Sequence, residues 1–326
     1  MDRGTRAVNV TILALFVIAT FSGGLAFTLD AAPLAPVVVM VHGASGLGLL
    51  VLVPAKVRII KRGLRRPGRS RKVMSWTLSA LVVGTIGGGL LHALRGFVPV
   101  LGLLPMQIHV GAALLAAVLL AGHVLPYRHR RWPLVRRVDL HRRAGLKGAA
   151  IVAGALALRT VAPGLPRRFT GSHEVAAAAM PVTQWLFDPV LRLDAAAWHL
   201  RLPGRTLDLA GLAVLPQTTV RAVIDCTGGW WAEEVWSGVR LSDLDLPPSA
   251  SVDVVSATGY RRRLPASDVP TVLLATHAGG QPLADGHGGP VRLVAPGRRG
   301  FWWVKWVVAV EETDEPWWLQ PPLPLQ

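Results

Sequence analysis

The chain has 326 residues, 51% of them hydrophobic and 17% charged, with a mean hydropathy of +0.42 and a formal charge of +16. A soluble domain averages about 25% charged residues, and here the basic excess sits in one half: residues 1–165 hold 21 of the 35 Lys and Arg and only Asp2, Asp30 and Asp139 of the 19 acids, whereas residues 166–326 hold 14 bases and 16 acids. This excludes a uniformly basic nucleic-acid binder, so no nucleic acid is expected as a partner, and a single Cys excludes a disulfide-stapled scaffold.

Four apolar runs come first, at about 7–29, 35–55, 74–94 and 106–126. Each approaches or exceeds the ~20 residues a helix needs to cross ~30 Å of hydrocarbon. Residues 56–72 carry nine Lys and Arg and residues 128–147 eight more, while the loops at 30–34 and 95–105 hold only Arg95. The positive-inside rule puts the N-terminus and both basic loops in the cytoplasm. A fifth, weaker segment at 145–164 is Ala/Gly-rich and interrupted by Arg159. Its lead, His141-Arg142-Arg143-Ala144-Gly145-Leu146-Lys147, resembles a twin-arginine export signal, with chance basic flanking as the plain alternative. If this segment crosses, the remainder of the chain is extracytoplasmic. The expectation is an all-α transmembrane bundle of about five helices over residues 1–165, in a multi-pass protein of the cytoplasmic membrane with the lipid bilayer as its partner.

Ionisable residues inside spans are costly and usually functional. Four His lie there: His42, His92, His109 and His123. His109 and His123 are 14 residues apart on one helix, 40° short of four turns, so they share a face with a rise of roughly 21 Å. Bundles that hold b-type haem use facing imidazoles as axial ligands in this way. His42 lies at roughly the depth of His109 and is its expected partner on an outer haem, with His92 as the rival; His123 is a ligand candidate for a second haem but finds no His at its depth. One or two b haems are therefore expected, the alternative being His that bond backbone carbonyls or line a polar path.

Residues 166–326 read as short strands broken by Gly and Pro: Val220–Ile224, Val252–Ser256, Thr271–Thr276, Val291–Ala295 and Trp303–Val310, with a loop-rich stretch over 279–300. This suits an α+β, β-rich domain. The sole Cys, Cys226, ends the strand Arg221–Asp225 and precedes Thr227-Gly228-Gly229-Trp230-Trp231. A lone Cys is most often a small buried hydrophobe; at a strand end before paired Gly it is also placed for soft metal ligation or nucleophilic chemistry, for which His277 and His287 are available bases.

The blocks Val223–Trp230, Trp236-Ser237-Gly238-Val239-Arg240-Leu241, Ser256–Tyr260 ahead of Leu264-Pro265, Gly279–Leu283, His287-Gly288-Gly289-Pro290-Val291-Arg292, Pro296-Gly297 and Val304-Lys305-Trp306 resemble, in order and spacing, the molybdenum-binding region of the sulfite oxidase family. The resemblance implies a molybdopterin domain over 166–326, with Mo-molybdopterin as cofactor. It implies Cys226 as the thiolate on molybdenum and Tyr260 facing the metal's open side, these two being the catalytic pair. His287, Arg292 and Lys305 would bind the pterin and its phosphate, with Arg298 and Arg299 as lesser candidates. Sulfite-oxidising members carry basic residues four or five positions after the Cys, where this chain has Trp230 and Trp231, so the Cys-x-x-Gly-Trp pattern is more similar to the periplasmic reductase branch. Pro181-Val182-Thr183-Gln184-Trp185 resembles the family's N-terminal pterin-binding segment loosely, and the first half resembles cytochrome b-like bundles fused to such domains. The four tryptophans Trp230, Trp231, Trp302 and Trp303 line a substrate funnel or pack the core, with packing expected for at least two.

The resulting expectation is a membrane-bound molybdopterin-dependent oxidoreductase. Oxygen-atom or two-electron transfer at molybdenum would be coupled through haem to the quinone pool or a redox partner protein, on a small-molecule or oxidised-residue substrate. The alternatives are a haem-free anchored molybdoenzyme and a non-catalytic membrane receptor that has kept the fold.

Overall fold

The structure is a computed structural model that describes residues 3–29, 34–64, 69–128, 153–154, 167–184 and 189–321. The chain divides into two compact units, Met1–His173 and Glu174–Gln326. The predicted fifth segment at 145–164 and its twin-arginine lead fall almost wholly outside the described residues.

Among the described residues the first unit holds four long helices: α1 (Arg3–Thr28), α2 (Ala35–Leu64), α3 (Arg69–Arg95) and α4 (Pro105–Arg128). All four are long and apolar enough to cross a membrane, over Thr5–Thr28, Ala35–Arg62, Lys72–Arg95 and Pro105–Leu125. They pack as two hairpins, α1 on α2 and α3 on α4. Helix α2 outlasts its apolar run, passing through Pro54 and on past Lys56, Arg58, Lys61 and Arg62, because Lys and Arg are good helix formers. Large apolar side chains face outward, among them Phe21, Val83 and Val118, an arrangement that costs nothing in lipid and is unfavourable in water.

The second unit is built on two sheets. In the first, β5 (Trp230–Arg240) is flanked by β4 (Gln217–Asp225) and β8 (Leu273–Ala278), β10 (Arg292–Val294) continues beyond β8, and β1 (His173–Glu174) and β9 (Gln281–Pro282) add short edges. The second sheet runs β3 (Arg205–Leu207), β2 (Leu200–Leu202), β11 (Val307–Thr313), β6 (Ser251–Ser256), β7 (Arg261–Pro265), with the β2–β11 pair parallel. Every residue of β6 is buried, as expected of a strand covered on both sides. The core joins Trp236, Val239, Leu264, Leu273, Leu274, Leu293 and Val310 from the two sheets.

Two differences from the sequence expectation matter for the site. Trp303–Val310 is not one strand: Gly300–Trp302 is a short 3-10 turn, Trp306 takes a φ of 52°, and β11 begins only at Val307. A left-handed residue cannot continue an extended chain, so Lys305 lies in a loop. The longest strand, β5, was not anticipated. Its register slips between Ser237 and Gly238 against β8; a β-carbon on Gly238 would lie 2.0 Å from the carbonyl oxygen of Leu274. Gly238→Ala therefore forces β5 away from β8. The expected loss is about 3 kcal/mol of stability, read as a lower thermal midpoint by circular dichroism; an unchanged midpoint would show that the bulge relaxes freely.

Candidate active site

Cys226 opens the tight turn that joins β4 to β5. Asp225 pairs with Trp231 as the last rung of the hairpin, the Cys226 amide donates to the Trp230 carbonyl at 2.8 Å, and the Gly229 amide returns to the Cys226 carbonyl at 3.0 Å. The adjacent glycines let the turn close with Gly229 at a φ of 93°. The Gly228 amide then points at the Cys226 sulfur, 3.3 Å away. The turn 300–302 packs behind it, and a β-carbon on Gly300 would lie 2.9 Å from the Cys226 Cα.

Three further segments converge on this turn. Thr183 interacts with the thiol through its side chain and accepts a 2.7 Å hydrogen bond from the Trp230 indole. Lys305 donates to the Thr183 carbonyl at 3.1 Å, the Gln184 side-chain oxygen at 3.3 Å and the Gly286 carbonyl at 2.7 Å. Arg292, at the start of β10, is 2% exposed; it donates to the His287 carbonyl at 3.0 Å and toward the Trp303 carbonyl at 3.4 Å. Its guanidinium lies over Trp236 and Trp303, 5.1 and 5.6 Å from the ring centroids, and its Nε is buried without a hydrogen-bond partner. His287 is tied to the Met180 carbonyl at 3.0 Å.

Burial pushes the Cys226 thiol above its ordinary pKa, against the Gly228 amide, the Thr183 hydroxyl and the charges of Lys305 and Arg299, all of which favour thiolate. Burial brings Arg292 down to about 10, with Cys226 opposing. Burial and then the Arg292 charge bring Lys305 down to about 8, again opposed by Cys226. Burial also lowers His287, followed by repulsion from Arg292 and Lys305, with the Met180 bond acting the other way. The site is thus a thiol among cations that mutually repel.

Cys226, His287, Arg292 and Lys305 come together as the sequence motifs imply. Arg299 is adjacent, in a buried ion pair with Asp225, the residue before the cysteine. Arg298 points elsewhere, bonding Asp268 at 3.0 and 2.7 Å and lying over Trp302 and Trp317. The Tyr260 phenol donates to the Phe301 carbonyl and accepts from Arg262 Nε at 2.7 Å. Trp230, Trp302 and Trp303 are buried and Trp231 is half-buried, so packing accounts for three of the four. Sequence reasoning missed Thr183 as a contact of the thiol, Asp225 as the partner of Arg299, and Trp236 as a face for Arg292. In the first unit, the His42 and His109 rings meet with centroids 5.7 Å apart and planes at 89°. His92 instead bonds the Gly171 carbonyl at 3.2 Å and packs on His173, 4.7 Å between centroids. His123 is exposed near the far end of α4.

One thiol beside buried cations on sheet-anchored loops is an arrangement suited to an anionic ligand. Residues 187–318 match the family model described as "Oxidoreductase molybdopterin binding domain". The chain is 30% identical over 136 residues to "Uncharacterized oxidoreductase YuiH" of Bacillus subtilis, covering 37% of this chain and 68% of that protein. It is 29% identical over 175 residues to "Sulfite oxidase, mitochondrial" of Drosophila melanogaster, covering 40% of this chain and 30% of that protein. Among solved structures it is similar to the sulfane dehydrogenase SoxCD of Paracoccus pantotrophus, at 25% identity and a TM-score of 0.36, over 39% of this chain and 40% of that one. The chain belongs to the molybdopterin-binding oxidoreductases of the sulfite oxidase type. It spans less than a third of the length of its Drosophila relative.

Asp225→Asn removes the carboxylate that neutralises Arg299 beside the cysteine turn. Breaking one side of a buried pair costs about 3 kcal/mol or more. Thermal unfolding is expected to show this loss, and the double variant with Arg299→Met to regain part of it; equal midpoints for Asp225→Asn and the wild type would assign the pair no structural role.

Proposed function

We propose that this chain is a membrane-anchored molybdopterin oxidoreductase that couples two-electron or oxygen-atom transfer in its second unit to one-electron transfer through b haem in its first. The observation that carries the first part is Arg292. A buried guanidinium needs a counter-charge, yet no carboxylate bonds it among the described residues, and its Nε is orphaned beside a thiol. An anionic pterin dithiolene with its phosphate meets that requirement. No three His, Cys, Asp or Glu converge as a metal cage among the described residues, so a metal at Cys226 needs most of its donors from such a cofactor, for which one soft thiolate is a suitable complement.

When bound, the cofactor supplies a metal able to exchange an oxygen atom and two electrons with a substrate. The chain's own residues hold it. Cys226 contributes the thiolate, kept in place by the Gly228 amide and Thr183. Arg292 and Lys305 offset its negative charge, and His287 is oriented by the Met180 carbonyl. Arg262 holds the Tyr260 phenol as an acceptor, so the phenol's proton goes to Phe301. Arg299 secures the turn through Asp225.

The haem reading rests on His42 and His109. The His42 Nδ1 donates to the Ala19 carbonyl at 2.9 Å and the His109 Nδ1 to the Thr85 carbonyl at 2.7 Å. These bonds place each proton on Nδ1 and make Nε2 the basic nitrogen, the tautomer that metal-binding His adopt. Side-chain-free notches accept both rings: a β-carbon on Gly23 or Gly89 would lie 2.9 Å from the imidazole of His42 or His109. The residues fit one bis-imidazole haem. His92, whose Nε2 donates to a carbonyl, fits less well. The apolar helices and the basic stretch at 56–72 support a bilayer location with the N-terminus in the cytoplasm and the second unit outside, exchanging electrons with the quinone pool or a partner protein.

Purified protein is expected to contain molybdenum, to lose it in Cys226→Ser, and to lose about 10–100-fold in cofactor affinity in Arg292→Met, both by metal analysis on protein of wild-type circular dichroism; molybdenum retained at wild-type level in both would sink the assignment. A reduced-minus-oxidised spectrum is expected to show a b-type band that disappears in His42→Ala and in His109→Ala but survives in His92→Ala. A band that survives the first two, or no band in wild-type protein made with ample haem, would leave the helices as an anchor.

A further inference from the structure

In the second unit, residues 315–321 form a strap against β7, the edge strand of the second sheet. The side-chain amide of Gln320 bonds both backbone groups of Arg263, accepting from the amide at 3.0 Å and donating to the carbonyl at 2.8 Å. An edge strand presents unpaired N–H and C=O groups, and a primary amide carries donor and acceptor side by side, so one side chain satisfies both. The strap is held at two further points. The Arg263 guanidinium bonds Glu315, and Trp317 packs on Trp302 with ring centroids 6.3 Å apart.

Neighbouring residues of a strand point to opposite faces, so Arg262 lies on the other face of β7 from Arg263 and is 1% exposed. Its Nη1 donates to the Pro321 carbonyl at 2.8 Å and lies 3.5 Å from the Gln320 side-chain oxygen, while its Nε donates to the Tyr260 phenol at 2.7 Å. The guanidinium also lies over the Tyr260 and Phe301 rings, 5.2 and 4.9 Å from their centroids. A planar fork held on one side by the strap and on the other by the phenol is fixed in orientation. The phenol in turn donates to the Phe301 carbonyl, on the turn that packs behind Cys226. We propose that Gln320 is a positioning residue for Tyr260: the strap fixes Arg262, and Arg262 fixes the phenol with its proton toward Phe301. The part this plays in turnover rests on the reading of the site as a molybdopterin centre; the linkage among the three side chains does not.

The chain has two tyrosines, Tyr127 and Tyr260. Full-length Tyr127→Phe protein made with fluorotyrosine therefore carries one fluorinated phenol, and its fluorine NMR resonance reports the hydrogen bonds at Tyr260. One narrow resonance is expected in this parent. Gln320→Leu is expected to shift and broaden it, Arg262→Met to move it further, and Gln320→Leu to add no further shift in the Arg262→Met background, the non-additivity of residues that act through one another. Trp318→Ala, at an exposed strap position, is expected to keep the parent spectrum. If Gln320→Leu loses the native circular dichroism, Gln320→Asn, whose shorter side chain draws the amide back from Arg262, carries the comparison with the same shift expected. An unmoved resonance in the folded Gln320 variant, or an equal shift with and without Arg262, overturns the proposal and leaves the strap as a cap on the edge strand. Molybdenum is measured on the same samples. Metal absent from the parent defeats the molybdopterin reading whatever the resonance does, whereas metal present with an unmoved resonance defeats the linkage alone.

Discussion

A guanidinium buried against two indole faces, with a thiol nearby and no carboxylate bonded to it, is the constraint around which the second unit is organised. Charge in a low-dielectric interior is tolerated only with compensation. Backbone carbonyls of His287 and Trp303 offset part of the cost for Arg292, and Cys226 offsets more when ionised. Lys305 is held in place by three oxygens but adds repulsion. The loops bearing these groups are therefore fixed by contacts made elsewhere: the 300–302 turn against Cys226, the Tyr260–Phe301 bond, and the Asp225–Arg299 pair. Such a pre-set, electropositive frame is what a site for an anionic ligand requires before the ligand arrives.

The two tryptophans that follow the cysteine illustrate how a single position can change its work. Trp230 is buried and its indole holds Thr183, which in turn interacts with the thiol. A side chain spent on holding the cysteine's neighbour does not also form an anion pocket. Arg299 is neutralised by Asp225, and Arg298 points away to Asp268, which leaves Arg292 and Lys305 as the cations of the site without a carboxylate partner among the described residues.

Much of this was legible in the sequence, for identifiable reasons. Four runs of about twenty apolar residues admit few readings other than long helices, and α1–α4 follow them closely. The strand before Cys226 and the turn after it were marked by alternation and by paired glycines. Strand β5 was hidden because Trp231 on the less buried face and the register slip at Ser237/Gly238 blur the alternation of its residues. The strand proposed over Trp303–Val310 was hydrophobic throughout, and composition alone does not reveal that Trp306 turns left-handed. Thr183 lies in the segment whose resemblance to a pterin-binding stretch was loose, and its contact with the Cys226 thiol is visible only in the fold. His123 has no His at its depth; the spacing of Lys56 from His42 repeats that of His123 from His109.

That repeat is the clearest structural argument in the first unit. On α2 and α4 the same 14-residue interval separates His42 from Lys56 and His109 from His123, and the side-chain chemistry differs between the two levels. At one level, imidazoles whose protons are held by carbonyls present basic nitrogens, and glycine notches make room around them. At the other, an ammonium held by an amide oxygen presents protons. Lone pairs coordinate metals and protons hold oxygens. The helical repeat alone fixes the distance between the two levels.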